Sequence, residues 1–191
     1  MIGGPPWVGK TACARELFTF LDNSAWLDGD DVWRVNPFSV QDPRLRNSDK
    51  NMAFVLNMYL ESQFDYVIFS SVVLTDKLIT RGILDAISVR EYDILFFMLT
   101  GSPQVLLSRS QERDNVTSPD PRFSIAALAQ DAIHIDTTAL TPADVAAKIL
   151  SIVRDPARAN LMPVVTDGIR EWMDINRRAL KEVENNEGFN F

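Results

Sequence analysis

Cysteine and histidine are nearly missing from this chain. Its 191 residues include one cysteine, Cys13, and one histidine, His134. A single cysteine cannot close a disulfide within the chain, and zinc sites need several cysteine or histidine ligands. A catalytic triad or a metal site built on histidine is therefore not expected. We predict that Cys13 is a buried helix residue and that His134 has a structural role.

Long apolar segments and an excess of basic residues are missing too. No apolar stretch reaches the roughly 18–20 residues that cross a bilayer, and the first residues lack the charged-then-apolar pattern of a signal segment. The formal net charge is -7, whereas proteins that hold a long nucleic acid need a basic surface. We therefore expect a cytoplasmic protein with neither a membrane nor long nucleic acid as a partner, although a few arginines can still hold a small anion.

Apolar runs alternate with helical patterns along the chain, and this alternation predicts an α/β fold with a mainly parallel sheet. The length fits one domain. Two runs, at residues 66–73 and 93–99, are nearly continuous, as expected for strands buried on both faces. The predicted strands are residues 25–28, 66–73, 92–100 and 132–136. The predicted helices are residues 10–21, 48–62, 76–88, 103–113 and 141 to about 154.

A final helix is predicted at about residues 164–184, after a connector between Pro156 and Pro163. Its apolar residues, which include Ile169, Trp172 and Met173, recur at helical spacing along one stripe. We expect residues 155–191 to form a helical extension that packs on the domain made by residues 1–154. A contact in a homodimer, or a flap over the active site, is the alternative for this stripe.

The strongest signal is a glycine-rich segment at residues 4–11. It reads GPPWVGKT and fits the phosphate-loop pattern G-x-x-x-x-G-K-[ST]. Glycines in this pattern let backbone amides approach phosphate oxygens, and the N-terminal end of the next helix favours the same negative charge. Lys10 would reach the β- and γ-phosphates, and the Thr11 hydroxyl would ligate magnesium. We therefore predict that a nucleoside triphosphate and Mg²⁺ are bound by Gly4, Trp7, Val8, Gly9, Lys10, Thr11 and Ala12.

The segment before this loop is unusually short. Only Met1 and Ile2 precede Gly3 and Gly4, whereas strands in globular proteins usually have about five or six residues. We therefore expect the first strand of the sheet to be short or truncated. Apolar residues added before Met1 should then raise the melting temperature, because they would extend the ladder and bury more apolar surface.

Acidic residues follow the second predicted strand, in the segment SAWLDGDDVWR at residues 24–34. Ligands of open parallel sheets bind beyond the carboxyl ends of the strands. The chain resembles the small-molecule kinases of the P-loop superfamily: residues 27–30, Leu-Asp-Gly-Asp, are similar to gluconate kinase and adenylylsulfate kinase. The D-x-D spacing is similar to that of shikimate kinase, and residues 30–37 resemble chloramphenicol phosphotransferase. The resemblance covers about residues 1–154 and implies a three-layer fold whose five-stranded sheet has the order 2-3-1-4-5.

The resemblance also implies roles for the two aspartates of this motif. Asp30 matches the carboxylate that approaches the acceptor hydroxyl, as a base or an orienting group. Asp28 matches the carboxylate nearer the magnesium, which it reaches through water. The alternative for Asp30 is a helix-capping role. Ser70 and Ser71, instead of an aspartate, end the third predicted strand, so Asp28 would have to replace the usual second acidic motif.

Arginines near the fourth predicted helix are implied to act on the nucleotide. Residues 103–113 resemble the helix that leads into the lid of such kinases, with the lid at about residues 109–122. Arg109 and Arg113 would neutralise charge during transfer, and an ordinary solvated helix face is the alternative. The loop after the last strand is similar to the adenine-side loop of these kinases, so Thr138 is predicted to border the base.

The acceptor is expected between the acidic loop and the third strand. Its predicted ligands are Asp30, Arg34 and Arg46, with Asn36, Arg44 and Lys50 as further candidates. The leading hypothesis is transfer of the γ-phosphoryl group of ATP, with Mg²⁺, to a hydroxyl of a small molecule whose identity is left open. The alternatives are a nucleotide-dependent regulatory ATPase module and a nucleotide or RNA-end kinase.

Overall fold

Five parallel strands form one sheet at the centre of the molecule. The computed structural model describes residues 1–89, 92–120, 122–125 and 132–155. The strands are β1 (Ile2–Gly3), β2 (Ser24–Asp28), β3 (Tyr66–Ser70), β4 (Phe97–Thr100) and β5 (Ile133–Asp136). Their spatial order is β2-β3-β1-β4-β5 and every pairing is parallel. The predicted fold class and strand order are therefore confirmed.

Helices cover both faces of this sheet. They are α1 (Lys10–Phe18), α2 (Asn47–Glu61), α3 (Lys77–Asp85), α4 (Pro103–Asp114), α5 (Arg122–Ile125) and α6 (Pro142–Arg154). Short 3₁₀ turns occupy Gly29–Val32, Pro43–Arg46 and Val72–Thr75. The predicted C-terminal helix at 164–184 lies outside the described residues. Within the described ranges, no helix combines the length and apolarity that a membrane crossing requires.

Two apolar clusters hold the three layers together. On one face, Leu17 of α1 and Ile149 of α6 pack with residues of the sheet. On the other face, Leu56 of α2 and Ile83 of α3 do the same. Cys13 is buried in the first cluster as a free thiol, as predicted, and burial raises its pKa to about 11. The strands thus have apolar contacts on both faces, which explains their nearly continuous apolar sequences.

The central strand is as short as the sequence predicts. β1 has two residues, yet both sides of the segment are hydrogen-bonded: the Phe97 amide donates to the Met1 carbonyl at 2.9 Å, and the Ser71 amide to the Ile2 carbonyl at 3.2 Å. Ile2 is fully buried. Backbone pairing on two sides and apolar burial therefore compensate for the small number of residues.

Two predicted strands are longer than the observed ones because their neighbours are short. β4 begins at Phe97, not at residue 92, since its partner β1 offers only Ile2 and Gly3 and its partner β5 begins opposite Phe97. β3 ends at Ser70, not at residue 73, because β2 ends opposite it at Asp28. The chain then turns sharply, and functional side chains can gather where the strands stop.

Gly29 brings the ends of β2 and β3 together. The Gly29 Cα lies so close to Ser71 that an added Cβ would collide with the Ser71 side chain. Glycine alone permits this approach, and it places the turn that carries Asp30 directly beside the end of β3. Gly82 is the opposite case, because a Cβ built on it meets no atom of the described residues within 4 Å.

We predict opposite stability effects for alanine at these two glycines. Gly29→Ala should destabilise the chain by about 1–3 kcal/mol through overpacking, whereas Gly82→Ala should stabilise helix α3 by about 0.5–1 kcal/mol. Denaturant melts of both variants measure this. In a Ser71→Gly background the penalty of Gly29→Ala should largely vanish, and an unchanged penalty would contradict the proposed collision.

Candidate active site

The loop between β1 and α1 has the backbone that its glycines allow. Gly4 and Gly9 have φ angles of +150° and +101°, and a Cβ on Gly4 would stand 2.7 Å from the Leu99 carbonyl oxygen. Trp7 also has a positive φ, of 61°. Its indole N–H donates to the Asp114 carboxylate and its ring meets Phe123 edge-on at 6.1 Å, and these contacts favour the unusual backbone.

Lys10 is folded back onto its own loop. Its Nζ donates to the Pro5 carbonyl at 2.9 Å. Burial lowers the pKa of Lys10 to about 8, although the nearby Asp30 and Asp28 carboxylates partly offset the shift. The two carboxylates balance the positive charge of Lys10 only in part. Anionic phosphates bound in this loop would add further negative charge beside the ammonium and so stabilise its charged form.

Asp28, at the carboxyl end of β2, is the centre of a buried hydrogen-bond network. Its Oδ2 accepts from the Thr11 hydroxyl at 2.7 Å and from the Ser70 hydroxyl at 3.3 Å. Ser70 in turn accepts from the Trp26 indole N–H at 3.0 Å. The other oxygen, Oδ1, accepts from the Asp30 amide at 3.1 Å. One carboxylate therefore joins the start of α1, the ends of two strands and the acidic turn.

This donor set suits magnesium. Mg²⁺ prefers oxygen ligands, keeps several waters and uses one or two carboxylates plus substrate phosphates. The Thr11 hydroxyl and the Asp28 carboxylate provide such oxygens beside the loop. No group of three or more histidine, cysteine or acidic residues that could cage a metal exists among the residues that the structure describes. The residues present thus fit an ion shared with a phosphate ligand.

Two neighbouring cavities meet at Asp30. The smaller, of about 350 Å³, lies against the loop and includes Lys10, Thr11 and Asp28 in its wall. The larger, of about 960 Å³, lies between the acidic turn and α3. Asp30, Ser71 and Val72 border both cavities, which we call the phosphate cavity and the side cavity. An exposed carboxylate thus stands at the boundary between two binding spaces.

Arg109 bridges the phosphate loop and the segment after β5. Its guanidinium donates to the Thr137 carbonyl at 3.0 Å, the Thr137 hydroxyl at 3.2 Å and the Val8 carbonyl at 3.5 Å. Thr137 is buried, and it belongs to the adenine-side loop whose main chain is expected to border the base. The predicted Thr138 instead accepts from the Ser102 amide at 2.9 Å and so supports the start of α4.

Arg113 lies at the wall of the phosphate cavity, next to the loop. Its Nε is 3.1 Å from a carboxylate oxygen of Asp114, the same side chain that Trp7 contacts. Both hydrogen bonds lower the pKa of Asp114. The end of α4 is thereby attached to the loop, and Arg109 and Arg113, predicted as a pair, both border the cavity.

The predicted acceptor ligands Arg34 and Arg46 both line the side cavity. A third arginine, which is not among the predicted ligands, lines it too. This residue is Arg122, at the end of the predicted lid, and its charge acts to lower the pKa of Lys10. No motif marks Arg122, so only the folding of α5 toward the loop identifies it. Ser70 does leave a sequence signal, as a polar residue in an apolar strand.

The sheet order, the loop and the acidic turn together define the P-loop fold of the small-molecule kinases. A glycine-rich loop joins the central strand to the first helix, and the neighbouring strand in the sheet is the third in sequence. The resemblance noted from the sequence is therefore confirmed at the level of the fold. No family model matches the chain, and no curated protein shows significant similarity to it.

Solved structures match this fold over most of their length. The tunicamycin resistance protein of Deinococcus radiodurans is 24% identical, with a TM-score of 0.60 over 80% of this chain and 92% of that one. A gluconokinase of Sinorhizobium meliloti is 15% identical, with a TM-score of 0.56 over 82% and 91%. Shikimate kinase of Acinetobacter baumannii is 20% identical, with a TM-score of 0.53 over 81% and 92%. Similarity at this level establishes the fold.

The desolvation of the half-buried Lys10 predicts that its removal stabilises the chain in a pH-dependent way. Its pKa is about 8 in the folded chain against an ordinary 10.5, so below pH 8 folding must bury a charged ammonium. Lys10→Met should therefore stabilise the chain at pH 7. This advantage should shrink from about pH 8 to 10.5, where native Lys10 is already neutral while the unfolded chain still binds the proton.

Denaturant melts at pH 7 and pH 9.5 measure this effect, with Lys50→Met as the control because Lys50 is exposed. The control should show no such dependence on pH. A Lys10→Met chain that is less stable than the parent at pH 7, or a stability difference that is equal at both pH values, would contradict the prediction.

Proposed function

We propose that this chain transfers the γ-phosphoryl group of ATP to a hydroxyl group of a small molecule, with Mg²⁺ as the metal. The observation that carries the proposal is the position of Asp30 at the boundary of the phosphate cavity and the side cavity. A donor in the first and an acceptor in the second would meet at this carboxylate. A cytoplasmic location, where ATP and magnesium are abundant, fits this activity.

In the proposed reaction the acceptor oxygen attacks the γ-phosphorus of ATP. The new bond joins this oxygen to phosphorus, and the bond from the γ-phosphorus to the β–γ bridging oxygen breaks. The products are a phosphate monoester and ADP. Asp30 either takes the proton of the acceptor hydroxyl as a base, or it orients the hydroxyl while the proton is released to water.

Positioning and charge stabilisation supply the catalysis. The loop amides and the protonated Lys10 would hold the β- and γ-phosphates in line with the acceptor. The Thr11 hydroxyl, with Asp28 through water, would hold Mg²⁺, which when bound screens the negative charge of the phosphate oxygens. Arg113 borders the phosphate cavity and would stabilise charge on the transferring group, while Arg109 would act next to the loop on the base side.

Two further observations support a kinase over the alternatives. Gluconokinase and shikimate kinase, which share the fold, are named for small hydroxylated acceptors. The side cavity also offers an acceptor space beside Asp30. A regulatory ATPase module would have no need of such a space, and its slow hydrolysis would be unaffected by any metabolite. A mononucleotide acceptor remains the second candidate within the same reaction class.

We predict that Asp30→Asn and Lys10→Ala each lower turnover by about 100-fold or more, because they remove a base and a phosphate-stabilising charge. Turnover is measured with an acceptor found by screening a metabolite and antibiotic library for ATP consumption. Asp31→Asn is the matched control, since Asp31 is adjacent but pairs with Arg34. Full activity in Asp30→Asn, with Asp31→Asn impaired instead, would reject the role given to Asp30.

Magnesium binding provides an independent test at Thr11. Thr11→Val keeps the shape of the side chain but loses the hydroxyl, whereas Thr11→Ser keeps the hydroxyl. We expect Thr11→Val and Asp28→Asn to raise the Mg²⁺ concentration needed for ATP binding by about 10–100-fold, with Thr11→Ser close to the parent chain. Calorimetry with ATP at increasing Mg²⁺ measures this. Equal behaviour of Thr11→Val and Thr11→Ser would remove Thr11 as a ligand.

A further inference from the structure

The side cavity is large and mainly apolar. Its volume of about 960 Å³ lies near the upper end of the range of about 300–1,000 Å³ that is typical of sites for drug-sized ligands. Its apolar wall includes Trp33, Phe38, Val40, Leu45, Val72 and Ile79. A small polyol would leave most of this wall in contact with water, so the cavity fits a ligand with a substantial apolar body.

The rim of the cavity exposes apolar side chains that a ligand could cover. Phe38 is 60% exposed and Val40 is 66% exposed, and both line the cavity. Burying apolar surface contributes about 25 cal/mol per Å². These two side chains would therefore add to the affinity for an apolar ligand and contribute little to that for a sugar acid.

The cations of the cavity are already neutralised. Arg34 pairs with Asp31. Arg46 pairs with Asp49 at 3.2 Å. Arg122 pairs with Asp120 through two hydrogen bonds, from Nη2 to Oδ2 at 2.6 Å and from Nε to Oδ1 at 2.9 Å. An anionic ligand would have to share a guanidinium with its carboxylate or replace that carboxylate, and in either case the nearby carboxylate would repel the ligand.

The remaining charged groups of the wall are both carboxylates. Asp76 accepts from the Leu78 and Ile79 amides at the start of α3, at 2.9 and 3.0 Å. The Asp30 side chain has no hydrogen bond or ion pair with any other residue in the described part of the chain. The wall itself thus has three arginines and two aspartates, and the paired Asp31, Asp49 and Asp120 bring the total to five carboxylates against three cations. This balance disfavours an anionic acceptor.

We propose that the acceptor is an uncharged amphiphile, with an aromatic or aliphatic body in the side cavity and a hydroxyl group at Asp30. This inference rests on the proposed function and specifies its substrate class. The transfer is the one described above, so the product carries a phosphate monoester with a charge of about −1.5 to −2. The carboxylates that disfavour an anionic substrate would then also favour release of the product.

A competition experiment on the full chain, with Mg²⁺ and the ATP analogue AMP-PNP present, tests the preference. The uncharged dye N-phenyl-1-naphthylamine should bind saturably, with an increase in fluorescence. 2-(2-Naphthyl)ethanol should displace the dye at least about tenfold better than 2-naphthylacetate, a difference of about 1.4 kcal/mol. Gluconate and shikimate should not displace it. Equal or better displacement by the naphthyl acid, or no saturable dye binding, would overturn the inference.

A pair of phenylalanine variants locates the binding. Phe38→Ser should weaken dye binding by about tenfold, because an apolar wall residue is lost. Phe54→Ser is the matched control: Phe54 is 66% exposed, close to the 60% of Phe38, but it lies on α2 outside the cavity wall. An equal effect of the two variants would mean that the dye binds elsewhere and would overturn the inference.

Calorimetry with Mg-ATP on the same samples separates this inference from the proposed function. Absence of heat would contradict the proposed function, and with it the role of the side cavity as an acceptor site, whatever the dye does. Heat with Mg-ATP, together with a preference for the naphthyl acid, would overturn the present inference alone.

Discussion

The hydrogen bond from Thr11 to Asp28 fixes the position of the phosphate loop relative to the acidic turn. Thr11 lies in the first turn of helix α1, after the phosphate loop, and Asp28 ends the strand that leads into the acidic turn. Because the same carboxylate also accepts from the Asp30 amide, the distance from the loop to Asp30 is set through one side chain. Ser70 and Gly29 complete this arrangement, the first as a further donor and the second as a residue small enough to let β2 and β3 converge.

The site includes one unfavourable interaction. Lys10 is half-buried, forms no ion pair with a carboxylate among the described residues, and has its pKa lowered to about 8 by desolvation. A charged group in such a position reduces the stability of the chain. The hydrogen bonds to Asp28 and the packing of the two apolar clusters offset this loss of stability.

Features that depend on local sequence could be predicted, and those that depend on distant contacts could not. The phosphate loop, the starts of the helices predicted at residues 103 and 141, and the alternation of strands with helices are local patterns, and all are found in the structure. β3 ends and β4 begins where the neighbouring strands allow pairing. The lengths of those neighbours cannot be read from the residues of β3 and β4 themselves. Arg122 reaches the site only through the packing of α5, and no motif identifies it. The adenine-side loop could be predicted, but the contact of its Thr137 with Arg109 depends on packing between distant segments.

The two cavities differ in charge in a way that suits a transfer between unlike ligands. The wall of the phosphate cavity includes Lys10 and Arg109, which donate to backbone carbonyls and not to carboxylates, together with loop amides that favour anions. Arg113 is also in this wall, but it pairs with Asp114. The side cavity has its arginines paired with carboxylates and an apolar wall. A polyphosphate therefore has a strong electrostatic preference for the first cavity and would not compete for the second. In the proposed reaction an anionic donor and an uncharged acceptor would meet at Asp30, on the boundary, and the different charge of the two cavities would determine which molecule occupies each.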